Sequence, residues 1–525
     1  MSGIKEKFIQ EISDGYSFEG ESIILGGAKL GEEVIKEQFI RIPLRTLNRH
    51  GLIAGATGTG KTKTLQILAE QLSAKGVPSL VMDIKGDLSG IAVASGGHKK
   101  IDERHELIGF PFIADSSPVE FLTLSDEKGS RLRATVSEFG PVLFSKILEL
   151  NNTQQSIISV IFKFCDDNQL PLLDLKDMKK ALQYVTGEGK AAVQEEYGRI
   201  STSSVGTIMR KIIELEQQGA EVFFGERSFD VDDLCRISED GKGVISILRL
   251  TDIQDKPKLF STFMLQILAE IYSIFPEEGD MDRPKLAIFI DEAHLVFDKA
   301  SDALMDQIEI IVKLIRSKGV GLFFVTQNPS DIPDSVLSQL GLKIQHALRA
   351  FTAKDRKAIK LAAQNYPITE YYKVDQLLTE LGIGEALVSA LDSKGRPTPL
   401  AHTYLRAPQS RMDILTPKEI KTILGQSELM HTYNEEIDRE SAYEILTGKI
   451  EDAQSKEAQE RLRKQNRAAS RSSSKKREKS TFEKVYNSTT TRQIGRTIAV
   501  ELTRGLLGVL GIKTTGRRSR RKSWF

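Results

Sequence analysis

From His50 onward the chain alternates short, continuous apolar runs with helical patterns. Apolar runs occupy 52–54, 79–83, 244–248, 286–290 and 322–326. Runs without polar alternation suit parallel strands covered on both faces. Between them, Leu65, Leu68, Ala69 and Leu72 share one helical face, and helical spacing recurs at about 256–275 and 302–318. The pattern predicts an α/β fold whose mostly parallel sheet is built from right-handed crossovers. Two stretches depart from it. Residues 1–45 alternate β-like segments with glycine turns and read as a β-rich leader. Residues 121–235 carry helical spacing, as in Ile157, Val160, Ile161 and Phe164, and read as an α-helical insertion between strands.

The expected organisation is therefore a leader over 1–45, a core in two parts at 46–120 and 236–405, and the insertion over 121–235. A helical extension over 406–455 and a basic linker with an amphipathic helical tail over 456–525 follow. The stretch 471–480 is low in complexity and reads as a solvated linker.

Charge sharpens that division. The chain has 73 Lys plus Arg and 72 Asp plus Glu, a formal charge of +1. Residues 456–525 hold 20 basic and 5 acidic side chains, so the near-zero total cancels an acidic body against a basic tail. Such asymmetry points to an interaction tail. Two cysteines, Cys165 and Cys235, stand far apart without a partnering motif, which fits a reducing compartment and no structural zinc site. The start lacks the apolar core of a signal peptide, and no window approaches 18 apolar residues. A soluble, cytoplasmic protein without a transmembrane segment is expected.

The chemistry begins after the first core strand. Gly55, Ala56, Thr57, Gly58, Thr59, Gly60, Lys61 and Thr62 run in the order G-x-x-x-x-G-K-[ST], with Lys63 next. The motif lies between a predicted strand and a predicted helix, the context that it requires. Glycines let backbone N–H groups turn toward phosphate oxygens, and the helix N-terminus adds partial positive charge. Lys61 is expected to reach the β- and γ-phosphates of ATP, and the Thr62 hydroxyl to ligate Mg²⁺. Asp291 and Glu292 end another apolar run. Asp291 is the candidate for the metal or its water shell, and Glu292 for the general base that polarises water. The pair could also cap the following helix. Gln327 ends the next run, where it could sense the γ-phosphate, orient the water, or make an ordinary turn. Asp83, Lys85 and Asp87 end a further run as accessory candidates, with turn chemistry as the alternative.

With these residues in view, the chain resembles the HerA–FtsK superfamily of P-loop ATPases over about 40–405. The resemblance rests on the segments 50–62, 82–87, 289–294 and 316–327. More narrowly, with 487–497 and 504–511 included, it is similar to a bacterial HerA-like helicase family. The resemblance implies a RecA-like P-loop NTPase core and a ring, usually a homohexamer, coupling ATP hydrolysis to DNA movement as a translocase or helicase. It also implies an arginine that completes a neighbour's site in trans. Arg316 matches the finger position and Arg349 is the alternative; a solvated cation at a helix end is the other reading of Arg316. Rival readings are a protein-secretion or remodelling ATPase of the same superfamily, and a nucleotide-dependent switch or scaffold. The basic tail has three candidate targets: the ATPase body or another protein, an anionic membrane surface, and DNA phosphates.

Overall fold

The structure is a computed structural model that describes residues 2–469, except 126, 253–255, 280, 298–301, 436 and 438. The chain divides into two units: Met1–Arg133 with Arg227–Glu435, and Ala134–Glu226 with Glu436–Phe525. The linker over 471–480 and most of the expected basic tail lie outside the described residues; 456–469 belong to the helix Ala442–Ala469. Among the described residues no helix is long and apolar enough to cross a membrane.

The first unit is mixed α/β around one large, mostly parallel sheet. Its strands are β1 (Ser22–Leu30), β2 (Glu33–Pro43), β3 (Gly51–Ala54), β4 (Ser79–Asp83), β5 (Val119–Thr123) and β6 (Ser130–Arg131). They continue as β7 (Ile245–Arg249), β8 (Leu286–Ile290), β9 (Val320–Thr326), β10 (Leu342–Gln345), β11 (Glu385–Ser389) and β12 (Ala401–Leu405). Strands β10, β3, β9, β8, β4, β7, β5 and β6 lie side by side and parallel. Strands β11, β12, β1 and β2 extend the β10 edge antiparallel. The apolar runs expected to be strands are β3, β4, β7, β8 and β9, and all four of the central strands β3, β9, β8 and β4 are buried along their whole length.

The leader is β-rich only after an initial helix, Ser2–Gly15, whose Phe8 and Ile12 are buried. The first residues of the stretch expected to be helical, 121–123, instead belong to β5, which pairs with β7. The second unit holds the helices of that stretch. Thr135, Asn151 and Asp174 each cap a helix with a reciprocal capping box. The same unit takes in the start of Ala442–Ala469, where the buried Asp177 accepts hydrogen bonds from Ser441 Oγ at 2.6 Å and Tyr443 N–H at 2.8 Å.

The helix Lys61–Ala74 follows β3, and its Leu65, Leu68 and Leu72 join the core with Ile53, Val81 and Phe289. Its polar face is buried too, under a strap over 409–412. Glu70 accepts from the Gln409 N–H at 2.7 Å, the Ser410 N–H at 3.1 Å and Ser410 Oγ at 2.8 Å. Gln66 donates to Ser410 Oγ at 2.8 Å and Arg411 O at 3.0 Å. These bonds satisfy polar groups that burial would otherwise make costly.

His50, just before β3, ties the sheet to the segment ahead of β9. The Leu322 N–H donates to its Nδ1 at 3.0 Å, so its Nε2 carries the proton given to Val312 O at 2.8 Å. This is the neutral ring, and burial pushes its pKa down to about 4. The unfolded chain, whose histidine titrates near 6.5, binds more protons between pH 6.5 and 4. The His50 contribution is therefore present above pH 6.5 and lost on acidification through that window. Urea midpoints measured from pH 7 to 4 should fall less steeply for His50→Gln than for wild type, and parallel profiles would contradict this account.

Candidate functional site

The carboxyl ends of β3, β9, β8 and β4 meet at one edge of the sheet, because the four strands pair in register. Ala54 lies opposite Thr326, Phe324 opposite Ile290, and Ile290 opposite Met82. The residues that follow each strand are Gly55, Gln327, Asp291 and the turn after Asp83. The motif residues far apart in sequence thus share one edge.

The glycine-rich loop is held from several sides. The Gly55 N–H donates to Thr326 O at 3.2 Å and the Ala56 N–H to Ala347 O at 2.8 Å. The Gly384 N–H donates to Thr59 O at 3.1 Å. Gly58 and Gly60 take left-handed backbone, with φ of +78° and +115°. Gly55 is required by close approach: a Cβ there would stand 2.5 Å from His346 Cβ. Thr57 and Gly58 are exposed at the loop's tip and Thr62 is half-buried. Lys61 is buried, and its ammonium donates to Gly55 O at 2.6 Å and Ala56 O at 3.2 Å. Burial and the positive charge of Lys85 lower its pKa, against the pull of Glu292 and Asp291. Lys63 turns elsewhere: its ammonium donates to Met412 O at 2.6 Å and to Gln66 Oε1 at 3.2 Å, bracing the helix against the strap.

Asp291 and Glu292 are buried beside the loop. Burial pushes the Asp291 carboxyl up to about 7, and its Oδ2 has no hydrogen-bond partner among the described residues. Glu292 goes the other way. Burial alone would raise it, but its Oε1 pairs with the Lys85 ammonium, which holds the carboxyl below the usual range. His294 Nδ1 lies 3.2 Å from the other oxygen, Oε2. Glu292 also takes a left-handed backbone, φ +46°, a conformation that costs a non-glycine residue about 1 kcal/mol or more.

The accessory candidates separate into two kinds. Asp83 is consumed by its own turn, accepting from the N–H groups of Gly86 at 2.7 Å, Asp87 at 3.2 Å and Leu88 at 3.1 Å. Burial, with Asp87 adding to it, nevertheless leaves its carboxyl at about 6. Asp87 contributes its N–H to that turn, and its Oδ1 is buried without a hydrogen-bond partner. Lys85 alone of the three reaches an acid of the neighbouring strand.

Gln327 is exposed at the end of β9, directly after the Thr326 that bonds Gly55. Arg316 precedes β9 and so lies at the opposite, amino edge of the sheet, where it interacts electrostatically with His50. The seven residues of β9 span roughly 23 Å at ~3.3 Å each, which keeps Arg316 from the loop of its own chain. Arg349 follows β10 at the loop edge, is exposed, and donates to Thr379 O at 3.3 Å.

Sequence reasoning gave no role to His346. It is buried under the loop, and its Nε2 lies 2.9 Å from Thr64 Oγ1, a residue 282 positions away. Burial and the nearby Lys61 charge push its pKa down to about 4, which keeps a second cation out of the loop's floor at neutral pH. No local spacing could reveal a contact made across that separation.

A family model described as helicase HerA-like C-terminal matches residues 29–515. The DNA double-strand break repair helicase HerA of Sulfolobus acidocaldarius is 24% identical over 377 residues, covering 69% of this chain and 66% of that protein. The same-named protein of Saccharolobus solfataricus is 22% identical over 401 residues, covering 72% of this chain and 68% of its own length. The chain thus spans about two thirds of the length of the curated relatives it matches. Among solved structures, the bacterial conjugative coupling protein TrwB aligns at a TM-score of 0.49 and 13% identity, covering 78% of this chain and 94% of that one. VirB4 of Thermoanaerobacter pseudethanolicus aligns at 0.47 and 15%, covering 77% and 100%.

The close approach of His346 to the loop makes Gly55 sensitive to added volume. Gly55→Ala should cost about 1–3 kcal/mol of stability as the loop and the imidazole move apart. Urea unfolding of the variant beside wild type checks this, and equal midpoints would show that the loop does not lean on His346.

Proposed function

The chain belongs to the helicase HerA-like C-terminal family, and from that premise we propose a Mg²⁺-dependent, ATP-hydrolysing ring motor of HerA–FtsK type that acts on DNA. The observation that carries the reading is the convergence of Lys61, Asp291, Glu292 and Gln327 on the edge where the glycine-rich loop begins its helix. In this reading Lys61 exchanges its carbonyl partners for the β- and γ-phosphates, and the residues Gly55 to Thr62 enclose the phosphate chain with backbone N–H groups. Glu292 accepts the proton of the attacking water as the water oxygen bonds to the γ-phosphorus. The bond from that phosphorus to the β-phosphate oxygen breaks, and ADP departs with its electron pair. Gln327 orients the water or senses the γ-phosphate.

Among the described residues no group of three or more His, Cys, Asp or Glu side chains is arranged to hold a metal. That suits Mg²⁺, which takes most of its oxygens from phosphates and water and few from protein. Asp291, with its buried and unbonded Oδ2, and the Thr62 hydroxyl fit that sparse set. When bound with the nucleotide, Mg²⁺ would neutralise charge on the phosphate oxygens.

The position of Arg316 at the amino edge supports a ring, since only a neighbouring copy's site is open to it as an arginine finger; Arg349 is the alternative. DNA as the load is supported by the names of the curated relatives, DNA double-strand break repair helicases.

Purified full-length protein should hydrolyse ATP in the presence of Mg²⁺ and lose about 100-fold or more of that turnover in Lys61→Ala and in Glu292→Gln. Duplex DNA should raise wild-type turnover, and more so at low salt. Variants that turn over like wild type would overturn the site. Indifference to DNA at both low and high salt would overturn the load.

A further inference from the structure

Lys85 and Glu292 form an ion pair that the ATPase reading does not use. We propose that Lys85 is a positioning residue that restrains the base Glu292, holding its carboxylate away from water until the ammonium is drawn off. The inference rests on the assignment of Glu292 as the base.

Three features of the site carry it. The first is placement. Met82 pairs with Ile290, so the turn after β4 meets the residues after β8 side by side. Lys85 reaches Glu292 because the sheet register puts it there.

The second is a contrast in mobility. The turn that carries Lys85 is fixed, with the Asp83 carboxylate accepting three backbone N–H groups. Gly86 takes φ +74° within it, and a Cβ at Gly86 would stand 2.9 Å from Thr251 Cγ2. Glu292 is equally held, with 8% of its side chain exposed. The Lys85 side chain is 38% exposed on a long flexible stem. Of the two partners, the lysine is the one that can move.

The third is occupancy. The Glu292 Oε1 is engaged by the Lys85 ammonium, while Oε2, 3.2 Å from His294 Nδ1, is buried without a hydrogen-bond partner among the described residues. The oxygen held by the ammonium is not aimed at a water proton, the pairing fixes the orientation of the whole carboxylate, and general-base work requires hydrogen-bond reach to that proton. Lys85 also lies close enough to Lys61 and Asp291 to interact with both charges. Two cations flanking the same edge repel each other. A terminal phosphate attracts both, which weakens the hold on Glu292 when the substrate that needs the base arrives.

The test compares steady-state ATP turnover, across ATP concentrations and without DNA, for full-length wild type, Lys85→Ala, Lys85→Arg, Lys61→Ala and the double variant Lys85→Ala with Glu292→Gln. Lys85→Ala should raise kcat by about threefold or more with KM little changed. Lys85→Arg should stay near wild type, because it keeps the ion pair, and the double variant should be inactive, because the gain runs through Glu292. An unchanged or lowered kcat in Lys85→Ala, with Lys61→Ala inactive, would leave the ATPase site standing and overturn the restraint. Turnover by Lys61→Ala equal to wild type would instead overturn the ATPase reading beneath it. Thermal melts of each variant separate these outcomes from loss of fold.

Discussion

The register of four parallel strands is the constraint on which the candidate site depends. Adjacent strands lie about 4.8 Å apart, so the ends of β3, β9, β8 and β4 span roughly 15 Å. That width matches a phosphate chain and its surrounding groups. Pairing of Ala54 with Thr326 and of Ile290 with Phe324 and Met82 brings the glycine loop, the glutamine and the acid pair level with one another. A slip of one residue would turn alternate side chains to the other face and dismantle the edge. The core prevents such a slip: Phe289 and Phe323 stack with ring centroids 4.8 Å apart, and the strands around them are buried on both faces.

On that edge, charges are held in low-dielectric surroundings and pushed in opposite directions. Asp291 is raised by burial while its neighbour Glu292 is held down by Lys85. Lys61 is lowered by burial, with backbone carbonyls as its partners. Neighbouring acids separated in this way can divide two tasks, a metal-facing ligand and a proton acceptor, as catalytic sites do. The left-handed backbone at Glu292 belongs to the same arrangement, since strain in a non-glycine residue persists only where its surroundings over-determine it.

Local patterns in the chain did not reach every element. The helix Ser2–Gly15 carries Phe8 and Ile12, and Tyr16 follows its end at the same interval of four, a helical signal within a stretch whose glycine turns suggest strands. Strands β10 and β12 are only four and five residues long, and Lys343, Gln345, His402 and Thr403 interrupt their apolar character. Such strands form because partners on both sides supply hydrogen bonds, and burial follows from that placement. The polar face of the helix Lys61–Ala74 is a parallel case. Gln66 and Glu70 read as solvent-facing, yet both are buried and bonded to a strap more than 300 residues further along the chain.

The sequence by itself determined the phosphate loop, the acid pair and the central strands. Each is a local pattern, set by glycine conformations, a strand end or an unbroken apolar run, and each is complete within about a dozen residues. Tertiary structure alone decided which of the candidate side chains work together. It gave Asp83 to its own turn, turned Lys63 to the strap, and set His346 beneath the loop. It placed Arg316 at the far edge of the sheet and joined Lys85 to Glu292. Those outcomes follow from strand order and register, and pairings between strands are long-range hydrogen bonds that no short window of residues encodes.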